Sequence, residues 1–226
     1  MARSSAVRSP QTIGVAFLFL GLLIGTPRPA AAQDSAAFIQ QLGTQAIQVM
    51  GPSVPPDVRA ARLRSLFDND FDLPGVARFV LGAHARQMTP QQLEEFQALF
   101  RETLVHAYSE KLAQYGGQQF RVVGSRPAGS ETIVSSEVER SGGAPVKIDW
   151  TVADSGGHKL VTDVAIDGIS QKVTERSQFA AIIQRNGGRP DALLAALRQQ
   201  LPQTRAPMTG SSSPPPGYAP PGDGTR

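Results

Sequence analysis

The stretch His158–Ile183, HKLVTDVAIDGISQKVTERSQFAAII, decides the fold of this chain. Its first half alternates between two sets of side chains, which predicts a strand. One face carries Leu160, Thr162, Val164 and Ile166, and the other carries Val161, Asp163, Ala165 and Asp167. Gly168 breaks the alternation, and Thr174 is the predicted N-cap of a helix. The apolar residues of that helix recur at helical spacing: Phe179, Ile182 and Ile183. The stretch therefore predicts a domain that combines a sheet with helices.

Four helices are predicted upstream of this stretch. They cover residues 35–50, Pro56 to Phe67, Leu73 to Leu81, and Pro90 to Tyr115. The last has the strongest start signal, because Thr89 is a good N-cap, Pro90 suits the first helical position and Gln92 completes a capping box. Its apolar residues form one helical stripe: Leu93, Phe96, Phe100, Leu104, Tyr108, Leu112 and Tyr115.

After Gly117 the period changes from helical to strand-like. The predicted strands are Phe120 to Val123, Thr132 to Val138, Pro145 to Val152 and His158 to Asp167. Short glycine-containing turns between them indicate an antiparallel meander. The third strand alternates cleanly, with Val146, Ile148, Trp150 and Val152 on the face that packs against helices. With closing helices at residues 174–186 and 190–201, the chain is predicted to be α+β, with a curved four-stranded antiparallel sheet cradled by N- and C-terminal helices.

Four sequence segments resemble those of the MlaC family, also called toluene-tolerance or ABC-transporter auxiliary proteins, in their order along the chain. The pattern D-V-x-I-x-G-I-S at Asp163–Ser170 is followed by E-R-S-Q-F at Glu175–Phe179. Upstream lie a segment from Phe71 to Gly82 and a T-x-x-Q-x-x-x-F-x-x-x-F helix from Thr89 to Phe100. The resemblance covers roughly residues 36–201 and implies an architecture related to nuclear-transport-factor-2-like cones.

The resemblance implies a periplasmic phospholipid carrier without enzymatic activity that maintains outer-membrane lipid asymmetry. Its expected partners are an inner-membrane ABC transporter complex and an outer-membrane lipoprotein–porin complex, and its cargo is a bound phospholipid, with no cofactor. By themselves the apolar residues are compatible with an ordinary core, whereas the resemblance implies a lipid cavity among them. The predicted lipid-binding residues are Phe71, Val76, Phe79, Phe96, Phe100, Leu104, Tyr108, Val146, Ile148, Trp150, Val164, Ile166, Ile169 and Phe179.

Signals for other chemistry are weak. The three histidines, His84, His106 and His158, have no ligand-like spacing, and no nucleophile elbow, P-loop or dinucleotide fingerprint occurs. Asp163 and Asp167 share a strand face, but solvation, or pairing of Asp163 with Arg176, explains them better than paired catalytic carboxylates. Three alternatives stay open: a carrier of another lipid such as a hopanoid, an exported enzyme of the nuclear-transport-factor-2-like class, and an envelope adaptor.

The two ends of the chain differ from its middle. Residues 1–32 have the features of a secretory signal, with Arg3 and Arg8 before the apolar run Ile13 to Ile24 and small residues at Ala30–Ala32. Three of the 22 basic residues lie there and none of the 19 acidic ones, so residues 33–226 are formally neutral and give no support to nucleic-acid binding. The chain has no cysteine, which excludes both disulfides and a lipid anchor on cysteine.

Residues 202–226 contain seven prolines and four glycines but no Leu, Ile, Val or Phe. Such a segment cannot bury enough apolar surface to offset the entropy of ordering it, so a disordered tail is predicted. The lipid-binding domain is therefore expected to span residues 33–201.

Overall fold

A computed structural model of the chain describes residues 30–49, 51, 53–113, 118–140 and 142–201. Residues 1–29 of the predicted signal segment, Tyr115 and the predicted tail from residue 202 lie outside the described residues. The helices are α1 (Ala30–Val49), α2 (Pro56–Asp70), α3 (Leu73–Leu81), α4 (Pro90–Leu112), α5 (Gln171–Arg185) and α6 (Asp191–Gln200). The strands are β1 (Phe120–Ala128), β2 (Glu131–Val138), β3 (Val146–Ser155), β4 (His158–Ile166) and β5 (Ile169–Ser170). A short 3-10 helix, Gly82–Gln87, follows α3.

Local capping chemistry determines where the helices begin. The predicted capping box of α4 is present, because the Thr89 hydroxyl accepts from the Gln92 amide and the Gln92 side chain accepts from the Thr89 amide. The N-cap of α5, in contrast, is Ser170 and not Thr174, since the Ser170 hydroxyl accepts from the Val173 amide. The prediction of Thr174 was wrong, and α5 begins one turn earlier than expected.

All five strands form one antiparallel sheet in the order β1-β2-β3-β4-β5, so the predicted α+β fold and meander are confirmed. The predicted strand count of four was too low by one. Asp167 and Gly168 both have positive φ, which is the conformation of a two-residue hairpin turn, and this turn brings β5 back against the end of β4. The Asp-Gly dipeptide was therefore a hairpin signal rather than only the end of a strand.

A bulge in β4 changes which of its residues face the helices. Thr151 pairs with Asp163, but the next residue of β3, Val152, pairs with Val161, so Thr162 is extra. Val161 is consequently fully buried on the inner face, a position that simple alternation had assigned to Leu160. Val164 and Ile166, beyond the bulge, keep their predicted inward orientation and line the space under the sheet.

The buried apolar residues form three separate clusters instead of one core. The largest joins α3, α4, α5 and α6 around Phe96, Phe179 and Leu194. A second joins α1 to the inner face of the sheet through Ile39, Leu42, Val134, Val152 and Val161. The third joins α2 to α4 through Leu63, Phe67 and Val105. Because the clusters meet only at their edges, the middle of the domain is left without a filling side chain.

Candidate functional site

An apolar cavity of about 340 Å³ lies between the inner face of the sheet and helices α1, α2 and α4. Ten of the fourteen predicted site residues line it. From the helical side these are Phe71, Val76, Phe100, Leu104 and Tyr108. From the sheet they are Val146, Ile148, Trp150, Val164 and Ile166. The strand alternation and the α4 stripe thus converge on one space, although neither pattern alone distinguishes a cavity from a packed core.

Four predicted residues do not line this cavity. Phe96 and Phe179 pack edge to face inside the largest cluster, with ring centroids 5.8 Å apart. They lie there because the N-terminal part of the α4 stripe faces α5 and α6. Phe79 lies under two cations, with Lys172 Nζ 5.2 Å and Arg176 Cζ 5.1 Å from its ring centroid. Ile169 is 62% exposed beside the Asp167–Gly168 turn.

Several residues that line the cavity were not among the predicted lipid-binding residues. They come from α1, α2 and the start of β1: Leu42, Ala46, Ile47, Leu63, Leu66, Phe67 and Phe120. The one signal in the sequence was Gly43, where a Cβ would overlap the Phe120 ring, so only glycine lets α1 approach β1 this closely. Gln40 strengthens that approach, since its Oε1 accepts from the Val122 amide at 2.9 Å.

The charged side chains of the cavity lie at one end of it. This mouth has three cations, Lys111, Arg140 and Lys172, and three acids, Asp163, Asp167 and Glu175. Tyr108 lies just inside, where its ring lies 5.2 Å from Lys111 Nζ and burial raises the pKa of its hydroxyl. Elsewhere the wall is almost entirely hydrocarbon, so the site offers solvation for an apolar chain and charge only at its entrance.

The two aspartates of the family-like motif have structural roles. Asp163 Oδ2 accepts from the Ser170 hydroxyl at 2.6 Å, and its Oδ1 accepts from the amides of Val164 at 2.9 Å and Lys172 at 3.2 Å. It therefore ties β4 to the first turn of α5, instead of pairing with Arg176. Asp167 Oδ1 accepts from the Lys147 amide at 3.2 Å. Both carboxylates accept from backbone donors, and these structural roles account for their presence in the motif.

The histidines lie apart from one another and outside the cavity. His106 contacts Glu110 at 3.7 Å on α4, and His158 Nε2 lies 3.1 Å from the Asn69 carbonyl oxygen. Within residues 30–49, 51, 53–113, 118–140 and 142–201, no cluster of histidine and acidic side chains could hold a metal ion. Of the helices described, none is both long and apolar enough to cross a bilayer.

Glu175, at the mouth, makes the stability of the folded domain depend on pH. Burial raises the pKa of its carboxyl above the ordinary 4.5, and the charge of Lys111 opposes that rise only in part. The folded state therefore binds the proton more readily than the unfolded chain, and stability falls as pH rises through the interval above 4.5. We expect Glu175→Gln to melt at a higher temperature than the wild type at neutral pH.

The higher melting temperature of Glu175→Gln should disappear once the pH falls below 4.5, where the Glu175 carboxyl of the wild type is protonated in both the folded and the unfolded state. Thermal melts of lipid-free protein across this range measure it. Glu94→Gln, at an exposed position of α4, is the matched control and should keep the melting temperature of the wild type across this range. A Glu175→Gln variant that is less stable at neutral pH would show that the carboxylate makes a favourable contact.

Comparisons with known proteins agree with this geometry. The family model described as MlaC protein matches residues 40–199. The toluene tolerance protein ttg2D of Pseudomonas putida is 30% identical over 118 residues, which cover 51% of this chain and 55% of that relative. The intermembrane phospholipid transport system binding protein MlaC of Haemophilus influenzae is 23% identical over 150 residues, which cover 62% of this chain and 69% of that protein.

A solved structure is similar over most of the domain. The phospholipid-binding protein from Ralstonia solanacearum, determined in complex with a phospholipid, superposes with a TM-score of 0.60 at 26% identity. The match covers 76% of this chain and 97% of that one. The likeness therefore includes both the sheet and the helices that enclose the cavity.

Proposed function

This chain belongs to the MlaC family, and we propose that it is a phospholipid carrier that holds the acyl chains of its cargo in the apolar cavity. The observation that carries the proposal is the unfilled space of about 340 Å³ between three hydrophobic clusters. An apolar cavity of about 150 Å³ already binds a benzene-sized molecule, so this one is large enough for part of a hydrocarbon chain. Acyl chains would supply the packing contacts that the side chains leave unmade.

The energetics suit a carrier. Each methylene taken from water contributes about 0.8 kcal/mol, so two long chains counted against water would exceed the practical limit of noncovalent affinity. The relevant reference, however, is a bilayer, because the lipid starts and ends in one. The free energy of transferring an acyl chain from the bilayer to an apolar cavity is close to zero. The protein can therefore hold its lipid tightly against water and still exchange it at a membrane complex.

The head group is proposed to stay at the mouth. Burial of an unpaired phosphate would be very costly, and the cavity beyond Tyr108 offers it no cation. Lys111, Arg140 and Lys172 line the mouth and can attract a phosphate without removing it from water. This arrangement predicts that the protein selects its cargo mainly by its chains.

The site of action is proposed to be the periplasm. Support comes from the secretory-signal features of residues 1–32 and from the relative named as a binding protein of intermembrane phospholipid transport. The proposed partners are an inner-membrane ABC transporter complex and an outer-membrane lipoprotein–porin complex. Residues 202–226 are proposed to be a tail outside the lipid-binding domain, which spans residues 33–201.

Native mass spectrometry of the purified mature protein tests this function. We expect a mass increment equal to one cellular phospholipid, which a chaotrope removes without any change in the mass of the chain. The emptied protein should refold and regain lipid from vesicles. Protein that is always empty and takes nothing from vesicles would contradict the proposal. An increment that matches a hopanoid would retain the carrier and change its cargo, and catalytic turnover of the cargo would indicate an enzyme.

A further inference from the structure

A second cleft lies directly behind the cavity. It has a volume of about 330 Å³ and runs between α2, α3 and α4. Phe67, Phe71, Leu73 and Phe100 line both spaces, so the partition between them is one side chain thick. On its far side the cleft is open to solvent between Glu94, Asp68 and Arg101, and its floor is apolar.

The Phe71 part of the partition lies at the Val161 end of the cavity. The backbone of Phe71 forms an isolated parallel β-bridge with Val161, and the Asp72 amide donates to the Val161 carbonyl oxygen at 3.0 Å. The mouth is at the other end of β4, beyond Ile166, where Asp167 and Arg140 lie. Five residues separate Val161 from Ile166, which corresponds to about 16 Å along a strand. An acyl chain that runs along β4 from the mouth toward Val161 therefore meets the Phe71 ring.

Phe71 has the least support of the three aromatic rings in the partition. Phe100 is 2% exposed and its ring is held by both Phe96 and Phe179 in the largest cluster. The Phe71 ring is only partly buried, and its one aromatic contact among the described residues is an edge contact with Phe67, at 5.1 Å between centroids. The side chain of Phe71 can be shortened without opening the core around Phe96 and Phe179.

We propose that Phe71 sets the longest acyl chain that the cavity accepts, with the cleft behind it excluded from the binding site by the Phe71 ring. This inference rests on the proposed function, because it specifies the class of lipid that the same cavity takes. A methylene that finds no place in the cavity stays in water, and each such methylene lowers affinity relative to the bilayer about fourfold. Discrimination against long chains therefore grows steeply with each carbon beyond the limit.

The test is uptake from mixed vesicles. Lipid-free protein is incubated with equimolar dipalmitoleoyl- and dierucoyl-phosphatidylglycerol, and native mass spectrometry measures the ratio of the two bound species. The wild type should take the shorter lipid preferentially. In Phe71→Ala the opened partition should raise the share of the longer lipid at least about tenfold, equivalent to two methylenes recovered from water.

Three further variants make the result specific. Phe71→Leu, which removes less volume and is safer for folding, should shift the ratio in the same direction by a smaller factor. Phe120→Ala enlarges the same cavity at the β1 end, away from the partition, and should keep the wild-type ratio whatever its total lipid content. Ala98→Phe fills the cleft only, so added to Phe71→Ala it should restore the preference for the shorter lipid.

The outcomes separate the inference from the function on which it rests. A wild type that binds lipid, together with Phe71→Ala and Phe71→Leu variants that remain folded and keep the wild-type ratio, overturns the chain-length role and leaves the carrier intact. A shift of the same size in Phe120→Ala also overturns it, because volume alone would then explain the effect. A wild type that takes neither lipid overturns the carrier and this inference together.

Discussion

An Ile148→Trp variant should remain folded and exported but carry at least about tenfold less phospholipid than the wild type. Ile148 lies in the middle of the cavity wall, between Val146 and Trp150 on the same face of β3 and opposite Ile166 of β4. A tryptophan forced into a filled core typically costs about 1–3 kcal/mol. Here the indole would enter space that the acyl chains otherwise occupy, and displacement of two methylenes alone weakens binding more than tenfold.

The measurement pairs lipid content, by mass spectrometry, with a thermal melt of each protein. Ile166→Trp should behave in the same way, because it faces the same space across the strand pair. Val123→Trp is the matched control: it also adds an indole to a strand, but at a position 47% exposed that does not line the cavity. Strong destabilisation with normal lipid content would mean that the space under the sheet is core and that lipid binds elsewhere.

Replacement of Arg59 by methionine should lower the free energy of unfolding by about 3 kcal/mol. Arg59 is only 7% exposed, yet among the described residues its guanidinium bonds to no carboxylate. Nη1 donates to the Ser109 carbonyl at 3.0 Å and Nη2 to the Val54 carbonyl at 2.7 Å. Ser109 is in the last turn of α4, so the buried cation also offsets the partial negative charge at the C-terminal end of that helix.

Methionine keeps most of the apolar volume, and the loss therefore reports mainly the two hydrogen bonds and the helix-end interaction. Urea unfolding at constant m-value measures it. Arg64→Met on the same helix is the control. Arg64 binds Glu102 at 2.8 Å, but both side chains are partly exposed, so its loss should cost less than about 1 kcal/mol. Equal losses for the two variants would show that burial of the Arg59 cation carries no special stabilisation.

Much of the secondary structure follows from local sequence. The start of α4 depends on Thr89, Pro90 and Gln92, which act within a single turn, and both ends of α3 were predicted at the correct residues for the same reason. The predicted start of a helix was less accurate where two residues could each serve as its N-cap, as at α5. Ser170 and Thr174 are both good N-caps, and Asp163 decides between them, because it accepts from the Ser170 hydroxyl and the Lys172 amide.

The site was predictable only in part. Alternation in β3 and the stripe of α4 identified residues that do line the cavity. A strand or helix that faces the interior carries apolar residues at the spacing of that face, so the face can be recognised from the sequence. Phe96 and Phe100 are four residues apart on one stripe, yet Phe100 borders the cavity and Phe96 does not. The difference depends on where α5 and α6 pack against α4, which no periodicity within α4 records.

By itself, therefore, the sequence determined the type and order of the main elements, the antiparallel meander and the family, because these depend on caps, turns and side-chain alternation within short stretches. Only the tertiary structure decided that the apolar residues form three clusters with a cavity between them, that Val161 replaces Leu160 on the inner face of β4, and that α1 and α2 complete the wall. The physical reason is that hydrophobic burial has no direction along the chain. An apolar side chain must leave water, but which distant surface covers it, and whether anything does, is settled only when the elements pack together.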